Sequence, residues 1–332
     1  MERRQQLQYL FKDDIIVNKN LVLINKQERH DHKEIIQKTQ KQTKEAFDSK
    51  WGEAARLTSM GKLHSFQKEW FLSLYGFNKI GDLRNFLAGK KTIVDAGCGL
   101  GYKSAWLAEL APHATIIGID LSDAVLEAAK TYRHLQNLYF VQQDIVHTSL
   151  TPGAFDFVLC DQVIMHTQFP DVTFDHLASL LSPGGEFACY VYRRKAIPRE
   201  LLDDYFRRRT SEIPDAEMWE FASQVTELGQ ILNDLNVEFE CPEIPLLDIK
   251  GGRYTIQRFL YWNFLKCFWR DDWGFDLCTV TNYDWYAPSN AQRFSKQEFL
   301  DLAERNGLET IFFHEEEACY SGRFKRYGDS NY

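Results

Sequence analysis

The chain has 332 residues, 44% hydrophobic and 26% charged, which is typical of a soluble globular protein with one large domain or one domain carrying a sizeable insertion. Its formal net charge of -8 argues against broad electrostatic binding to nucleic acid or to an anionic membrane. The beginning of the chain lacks the apolar core of a signal peptide, and no stretch has the length of a membrane span. The seven cysteines are scattered without a CxxC pair, which suits reduced thiols, so we expect a cytoplasmic protein.

The predicted elements begin with a short hairpin over residues 14–27, where an Asn-Lys-Asn turn separates two β-branched runs. Helical segments follow between about 40 and 77. Five strands then alternate with helices, and the helix after the second strand has Ser122 as its predicted N-cap. The strands are predicted in KTIVDAG, ATIIGIDLS, NLYFVQQDI, FDFVLCDQVI and GEFACYVY. This alternation predicts right-handed crossovers and a doubly wound parallel sheet.

The alternation stops at Arg193. The next hundred residues contain predicted helices near 198–211, 215–235 and 253–270, and they are rich in tryptophan. A structureless loop of that length is improbable, so we predict a helical, aromatic-rich cap over 193–292. A final helix and two strands complete the chain.

Three glycines at alternate positions follow the first of these strands, in the stretch IVDAGCGLGYKSAWLAEL. A phosphate-binding loop requires G-x-x-x-x-G-K-[ST] and a dinucleotide turn requires G-x-G-x-x-G, and neither spacing is present. The observed order is D-x-G-x-G-x-G, formed by Asp95, Gly97, Gly99 and Gly101. The next strand ends at Asp120, and a carboxylate there can accept hydrogen bonds from both hydroxyls of a ribose.

This glycine register, with Asp120 and the later Asp144, closely resembles the class I S-adenosylmethionine-dependent methyltransferases of the small-molecule type. The fourth strand and the Pro-Gly-Gly turn before the fifth match the same family. The resemblance implies a Rossmann-like seven-stranded sheet whose last strand is antiparallel. It assigns the methyltransferase core to 89–192 and 293–332, and a helical segment covering the cofactor to 1–88.

The resemblance also implies S-adenosylmethionine as the cofactor, with S-adenosylhomocysteine as the product. Asp95 would lie near the cationic ammonium group of the cofactor, Asp120 at the ribose and Asp144 at the adenine amino group, with Ile145 packed on the adenine. No metal is inferred, because the seven cysteines are scattered without metal-ligand spacing. The implied cofactor-binding residues are Asp95, Gly97, Cys98, Gly99, Gly101, Asp120, Leu121, Asp144, Ile145, Asp161, Phe47 and Trp51.

The carboxyl end of the fourth strand faces the methyl group in this family, which makes Asp161 and His166 the candidate catalytic residues. His166 is either a general base or a structural residue beneath the site. The aromatic density of the insertion favours a bulky, partly apolar acceptor. Candidate acceptor contacts are Tyr192, Trp262, Asp284, Tyr286 and Arg293.

We therefore expect methyl transfer to a small or medium-sized metabolite, most favourably at oxygen, with carbon and nitrogen acceptors left open. One alternative is an RNA or tRNA methyltransferase, which would need a basic surface. Only the N-terminus and the short run Arg207 to Arg209 offer one, and Asp203 and Asp204 offset those charges. A base-flipping amino-methyltransferase would need [DN]-P-P-[YF] after the fourth strand, where this chain has CDQV. A second alternative is a non-catalytic binding protein. The expected partner is a small-molecule acceptor rather than a nucleic acid or a membrane, and a homodimer is left open.

Overall fold

The computed structural model describes residues 2–25 and 38–328, and the chain divides into two compact units. The second unit consists of residues 38–65 and 193–291. Its longer segment, 193–291, ends one residue before the end of the predicted insertion, 193–292. The first unit contains the rest of the described chain.

The predicted N-terminal segment is therefore divided between the two units. Residues 38–65 belong to the second unit, whereas the described residues before them and residues 66–88 belong to the first. The predicted hairpin is present, although its last two positions, 26 and 27, lie outside the described residues.

The first unit is built on one sheet, in which the strand numbers follow the whole chain. Its strands are β1 (Asp14–Asn18), β2 (Leu21–Asn25), β3 (Thr92–Ala96), β4 (Thr115–Asp120), β5 (Leu138–Gln142), β6 (Phe155–Cys160), β7 (Leu181–Arg193), β10 (Arg293–Phe294), β11 (Leu308–Glu315) and β12 (Cys319–Arg326). The remaining strands, β8 and β9, belong to the second unit.

The strand order is β1-β2-β5-β4-β3-β6-β7-β12-β11, with β10 paired to β7. The seven strands from β5 to β11 form the predicted doubly wound sheet, and β12 runs antiparallel to both of its neighbours. The sheet is wider than predicted because β2 of the N-terminal hairpin pairs in parallel with β5. The hairpin thus covers an edge that would otherwise expose unpaired backbone groups.

Helices cover both faces of this sheet. Ile116 and Ile117 of β4 belong to two different hydrophobic clusters, because successive strand residues point to opposite faces. Each face therefore has its own buried core. The helices are α1 (Glu2–Tyr9), α3 (Met60–Leu74), α4 (Ile80–Ala88), α5 (Tyr102–Leu110), α6 (Ala124–Thr131), α7 (Pro170–Ser179) and α12 (Lys296–Arg305). Only residues 66–74 of α3 belong to this unit.

The second unit is mainly helical and carries a small antiparallel hairpin. Its elements are α2 (Lys38–Ala54), α8 (Ile197–Thr210), α9 (Asp215–Asp234), β8 (Glu238–Cys241), β9 (Gly252–Thr255), α10 (Ile256–Asn263) and α11 (Gly274–Tyr286). The helix predicted over 253–270 is too long at both ends. Thr255 ends β9 and caps α10 by accepting a hydrogen bond from the Arg258 backbone at 3.2 Å. A segment that is aromatic on every face has no periodic boundary from which these ends could be predicted.

Within the described stretches, no helix is both long enough and apolar enough to cross a membrane.

Candidate functional site

The glycine turn after β3 adopts a backbone conformation that favours glycine. Gly97, Gly99 and Gly101 have φ angles of 83°, 52° and 76°. A Cβ atom at Gly97 would also lie 2.3 Å from a methyl group of Val163, so a larger residue there would require Val163 to shift. The backbone N–H groups of Gly97 and Cys98 donate to the carbonyl of Ile119 at 2.7 and 2.9 Å. The turn is therefore held against the end of β4.

Asp120, at the end of β4, is bonded to this turn through its side chain. One carboxylate oxygen accepts a 2.7 Å hydrogen bond from the Gly99 backbone. The other accepts hydrogen bonds from the backbone and the hydroxyl of Ser122 at 2.8 and 2.6 Å. The prediction that Ser122 is a helix N-cap is wrong, because α6 begins after Asp123 and the Ser122 hydroxyl is bonded to Asp120.

Asp95 is buried at the end of β3, where its carboxylate accepts a 2.5 Å hydrogen bond from the Ser104 hydroxyl. Burial raises the pKa of Asp95 to about 6. The Ser104 hydrogen bond and the Lys103 ammonium oppose that rise in pKa, and the Asp161 and Asp120 carboxylates add to it. The charge of the Asp95 carboxyl group therefore changes with pH around pH 6, which is the pKa set by burial and by these neighbouring groups.

Asp161, directly after β6, is enclosed by donors of the protein itself. Its carboxylate is ion-paired with the buried ammonium of Lys103, which lies in the first turn of α5. It also accepts hydrogen bonds from the Tyr75 hydroxyl at 2.8 Å and from the Gln162 amide at 3.3 Å. Burial opposes the charge of Lys103, but the Asp161 and Tyr102 side chains outweigh it and raise the pKa of Lys103. Asp161 is therefore part of a buried network that consists of its ion pair with Lys103 and its hydrogen bonds with Tyr75 and Gln162.

The remaining predicted residues around the turn lie on the adjacent strand ends. Asp144 is half-buried after β5 and accepts a 3.0 Å hydrogen bond from the Val146 backbone. Ile145 is buried beside it and Leu121 is half-buried after β4. Cys98 is buried in the turn, and burial raises the pKa of its thiol well above the usual value.

Carboxylates thus lie at or just after the carboxyl ends of three neighbouring parallel strands, β3, β4 and β5. A family model described as a methyltransferase domain matches residues 87–236, the segment that begins just before β3. Residues 87–236 are therefore similar to methyltransferase domains.

Curated methyltransferases align with part of this chain. The ubiquinone biosynthesis O-methyltransferase of Coxiella burnetii is 31% identical over 29% of this chain and 41% of its own length. The malonyl-[acyl-carrier protein] O-methyltransferase of Legionella pneumophila is 35% identical over 29% of this chain and 34% of its own length. The chain therefore spans less than half the length of these curated relatives.

A solved structure of a methyltransferase is also similar. The 1,6-didemethyltoxoflavin-N1-methyltransferase of Burkholderia thailandensis, with 1,6-didemethyltoxoflavin and S-adenosylhomocysteine bound, aligns with a TM-score of 0.42. It shares 11% sequence identity over 74% of this chain and 75% of its own.

The candidate base His166 lies in a short 3-10 turn after β6 and is buried. Its Nε2 atom is 3.3 Å from the hydroxyl of Tyr192, and the two rings meet edge to face with their centroids 5.4 Å apart. The structure therefore brings together a predicted catalytic residue and a predicted acceptor contact. Arg293 lies on β10, which pairs with β7 of the same sheet.

The other predicted site residues belong to the second unit. Phe47, Trp51 and Asp284 are brought together by a residue that sequence reasoning missed, Lys50. Its ammonium lies 5.1 Å from the Phe47 ring centroid and 4.3 Å from that of Trp51, and it pairs with Asp284 at 2.6 Å. Helices α2 and α11 are therefore joined by a partly buried ion pair flanked by aromatic rings.

Tyr286 and Trp262 have different surroundings within the second unit. Tyr286 is fully buried, and its hydroxyl donates a 3.0 Å hydrogen bond to the Lys266 carbonyl. Trp262 is half-buried, with the Lys195 ammonium 5.7 Å from its ring centroid.

Sequence reasoning also missed the polar residues behind the glycine turn, namely Tyr75, Lys103, Ser104 and Gln162. One signal was available, because Lys103 and Ser104 interrupt an otherwise apolar helix pattern directly after the turn. Gln162 has a φ of 65°, which is uncommon outside glycine and could be seen only in three dimensions.

Proposed function

We propose that this methyltransferase transfers a methyl group from S-adenosylmethionine to a small or medium-sized, partly apolar metabolite, with an oxygen atom as the preferred acceptor. The observation that carries the proposal is the set of three carboxylates, Asp95, Asp120 and Asp144, at the ends of β3, β4 and β5 beside a close-packed glycine turn. A phosphate-binding turn would have no use for three carboxylates around its ligand.

Each group around the turn suits one part of the cofactor. Asp95 would meet the ammonium group of the methionine part, and the small residues Gly97, Cys98, Gly99 and Gly101 would let that part approach the backbone. Asp120 would accept hydrogen bonds from the ribose hydroxyls. The cofactor supplies the reactive methyl group, which leaves the protein to position the acceptor and to remove a proton where needed.

The adenine end of the cofactor would lie beside the strand that follows. Asp144 would receive the adenine amino group, with Ile145 and Leu121 packing on the nucleoside. Asp161, ion-paired with Lys103, is a further candidate cofactor residue at the end of β6, on the other side of β3 from β5. Phe47 and Trp51 are further candidates for lining the cofactor.

The acceptor is proposed to be aromatic or otherwise apolar in part, because rings are dense in the second unit. Trp262 and Asp284 are its candidate contacts there, as is Tyr286. Tyr192 and Arg293 are the candidates in the first unit. The Coxiella and Legionella relatives are both named as O-methyltransferases, which supports oxygen as the acceptor atom. His166, beside the Tyr192 hydroxyl, would take the acceptor's proton.

An RNA substrate would require an exposed basic surface, but the run Arg207 to Arg209 is partly buried. Arg207 lies inside the second unit and donates to the carbonyls of Trp285 and Pro288 at 2.7 and 2.8 Å. Only its two neighbours, Arg208 and Arg209, are exposed. An RNA acceptor is therefore the less favoured reading.

The test is incubation of the full chain with methyl-labelled S-adenosylmethionine and a metabolite extract, followed by mass spectrometry. A labelled product with a methyl ether or ester is expected. A labelled amine or carbon product would replace the oxygen assignment, and labelled RNA would replace the acceptor class. If calorimetry detects no binding of S-adenosylhomocysteine, the proposed enzyme function fails.

A further inference from the structure

Three cationic side chains of the second unit surround the indole ring of Trp285, which is buried on α11. The Lys266 ammonium lies 4.6 Å from the ring centroid, and the guanidinium carbons of Arg199 and Arg207 lie at 5.1 and 5.8 Å. Attraction of cations to an indole ring strengthens when the pair is removed from water. Cationic side chains are therefore concentrated around the Trp285 indole inside the second unit.

Two nearby carboxylates are already paired with other cations. Asp203 forms a fully buried ion pair with Arg199 at 2.8 Å. Asp284 pairs with Lys50 at 2.6 Å. Both carboxylates are therefore held by partners other than Lys266.

Lys266 differs from these cations because it is only 7% exposed yet has no protein anion of its own. Across residues 2–25 and 38–328, its ammonium makes no salt bridge and no hydrogen bond, and its close contact is the Trp285 ring. An isolated buried ammonium is costly, and a methionine of similar length would avoid that cost. A lysine at this position is therefore better explained by a ligand than by packing.

The electrostatic surroundings of Lys266 are those expected of a lysine that binds an anion. Burial lowers the pKa of Lys266 to about 7; the carboxylates of Asp284 and Asp203 oppose that fall, and the cations Arg199 and Lys50 add to it. The ammonium is therefore only partly charged near neutral pH. An anion that binds beside it would stabilise the charged form and draw a proton from solution.

We propose that Lys266, beside Trp285, binds an anionic group of the methyl acceptor, either a carboxylate or a phosphate. This inference rests on the proposed function, in which the second unit holds the acceptor. It narrows the acceptor to a molecule with an apolar or aromatic body and one acidic group. The acidic group orients the acceptor and is distinct from the atom that receives the methyl group.

The test follows the side-chain signal of Lys266 by nuclear magnetic resonance in the full chain with ¹³C- and ¹⁵N-labelled lysine. The Lys266→Met variant identifies the signal, and Lys250→Met, which removes an exposed lysine of the same unit, is the matched control. The probes are benzoate, phenyl phosphate and the neutral benzamide. We expect an anion to raise the pKa of Lys266 by about one unit or more, equivalent to about tenfold tighter binding to the charged lysine. Benzamide should leave it unchanged.

The two anions distinguish the two chemistries, since the one that raises the Lys266 pKa more at equal concentration identifies the acidic group. If neither anion shifts this signal, or if both bind Lys266→Met as well as the unaltered protein, the proposal is overturned. Should Lys266→Met not fold, Lys266→Arg keeps a permanent charge. It should retain anion binding and lose its dependence on pH between about 6 and 8; loss of anion binding in a folded Lys266→Arg variant would also overturn the proposal.

Calorimetry with S-adenosylhomocysteine on the same samples separates this proposal from the enzyme function. Lys266→Met should bind S-adenosylhomocysteine as the unaltered protein does, because Lys266 lies outside the glycine turn and its three carboxylates. Absence of that binding in the unaltered protein defeats the proposed function, whatever Lys266 does. Normal cofactor binding without an anion response defeats only the present inference.

Discussion

The backbone N–H of Gly99 donates a 2.7 Å hydrogen bond to the side chain of Asp120. The acidic residue proposed to hold a ribose therefore also fixes the glycine turn that we propose faces the methionine part of the cofactor. One carboxylate thus links the ends of two adjacent strands, β3 and β4. Its loss should change both the shape of the turn and the contacts made to the ligand.

Asp120→Ala should weaken S-adenosylhomocysteine binding by more than the loss of ribose contacts alone. Each hydrogen bond to a charged carboxylate contributes about 1.5–3 kcal/mol, and the Gly99 hydrogen bond is lost as well. Isothermal titration calorimetry measures the effect, with Asp301→Ala, an exposed aspartate on α12, as the control. Unchanged affinity in Asp120→Ala would show that this strand end does not contact the cofactor.

Cofactor affinity should depend on pH through Asp95. The cofactor ammonium needs a charged carboxylate, and Asp95 has a pKa of about 6, so S-adenosylhomocysteine affinity should fall as the pH drops below that value. The limiting slope is about tenfold per pH unit. Titrations between about pH 5 and pH 8 should show this slope in the unaltered protein and not in Asp95→Asn.

The Asp95 carboxyl group should also make the free energy of unfolding depend on pH. The sign is opposite to that of the cofactor affinity, which rises with pH in the same range. The folded pKa of about 6 lies above the ordinary value of an aspartate, so the folded state binds the extra proton between the two values. The contribution of Asp95 to the free energy of unfolding therefore falls as the pH rises through that window. A stability profile in Asp95→Asn that is as steep as that of the unaltered protein would contradict this assignment.

Gly97→Ala should destabilise the protein more than an alanine at another glycine of similar backbone conformation. A positive φ costs an alanine about 1–2 kcal/mol. Crowding against Val163, 2.3 Å from the added Cβ atom, should add about 1–3 kcal/mol. Gly153→Ala is the matched control, because its φ is 72° with nothing within 4 Å of the added atom. Urea unfolding of both variants gives the difference, and equal losses would show that Val163 moves aside.

Lys103→Met should destabilise the fold by about 3–5 kcal/mol at neutral pH, because it leaves the buried carboxylate of Asp161 without its ammonium. The double variant Lys103→Met/Asp161→Asn should lose less than the two single variants together, since it leaves no buried charge unpaired. Chemical unfolding of the four proteins measures the coupling. Additive losses would mean that the two side chains do not interact in solution.

The sequence predicted the parts of the fold that depend on local periodicity. Apolar runs separated by helical patterns defined β3 to β7 and the helices between them, and the register of the glycines with Asp95 marked the turn. The final antiparallel pair was also predicted, and so was the N-terminal hairpin. Each of these signals lies within a short stretch of chain, where backbone preference and burial agree.

Elements defined by distant partners were not predictable in this way. The hairpin's pairing with β5 depends on an edge exposed far along the chain. The limits of α10 were obscured because its neighbouring segments are aromatic on every face. Periodicity does not encode which edge a strand joins or where a wholly buried segment stops being helical.

For the site, the sequence by itself determined the glycine turn and the three acidic strand ends, because parallel strands deliver their carboxyl ends to one edge whatever surrounds them. Only the tertiary structure decided that Asp161 is paired with Lys103 and that Lys266 is buried against Trp285. It alone also decided that Lys50 contacts Phe47, Trp51 and Asp284. Charge pairing inside a protein depends on distance and burial between residues far apart in the chain. Those quantities exist only once the chain has folded.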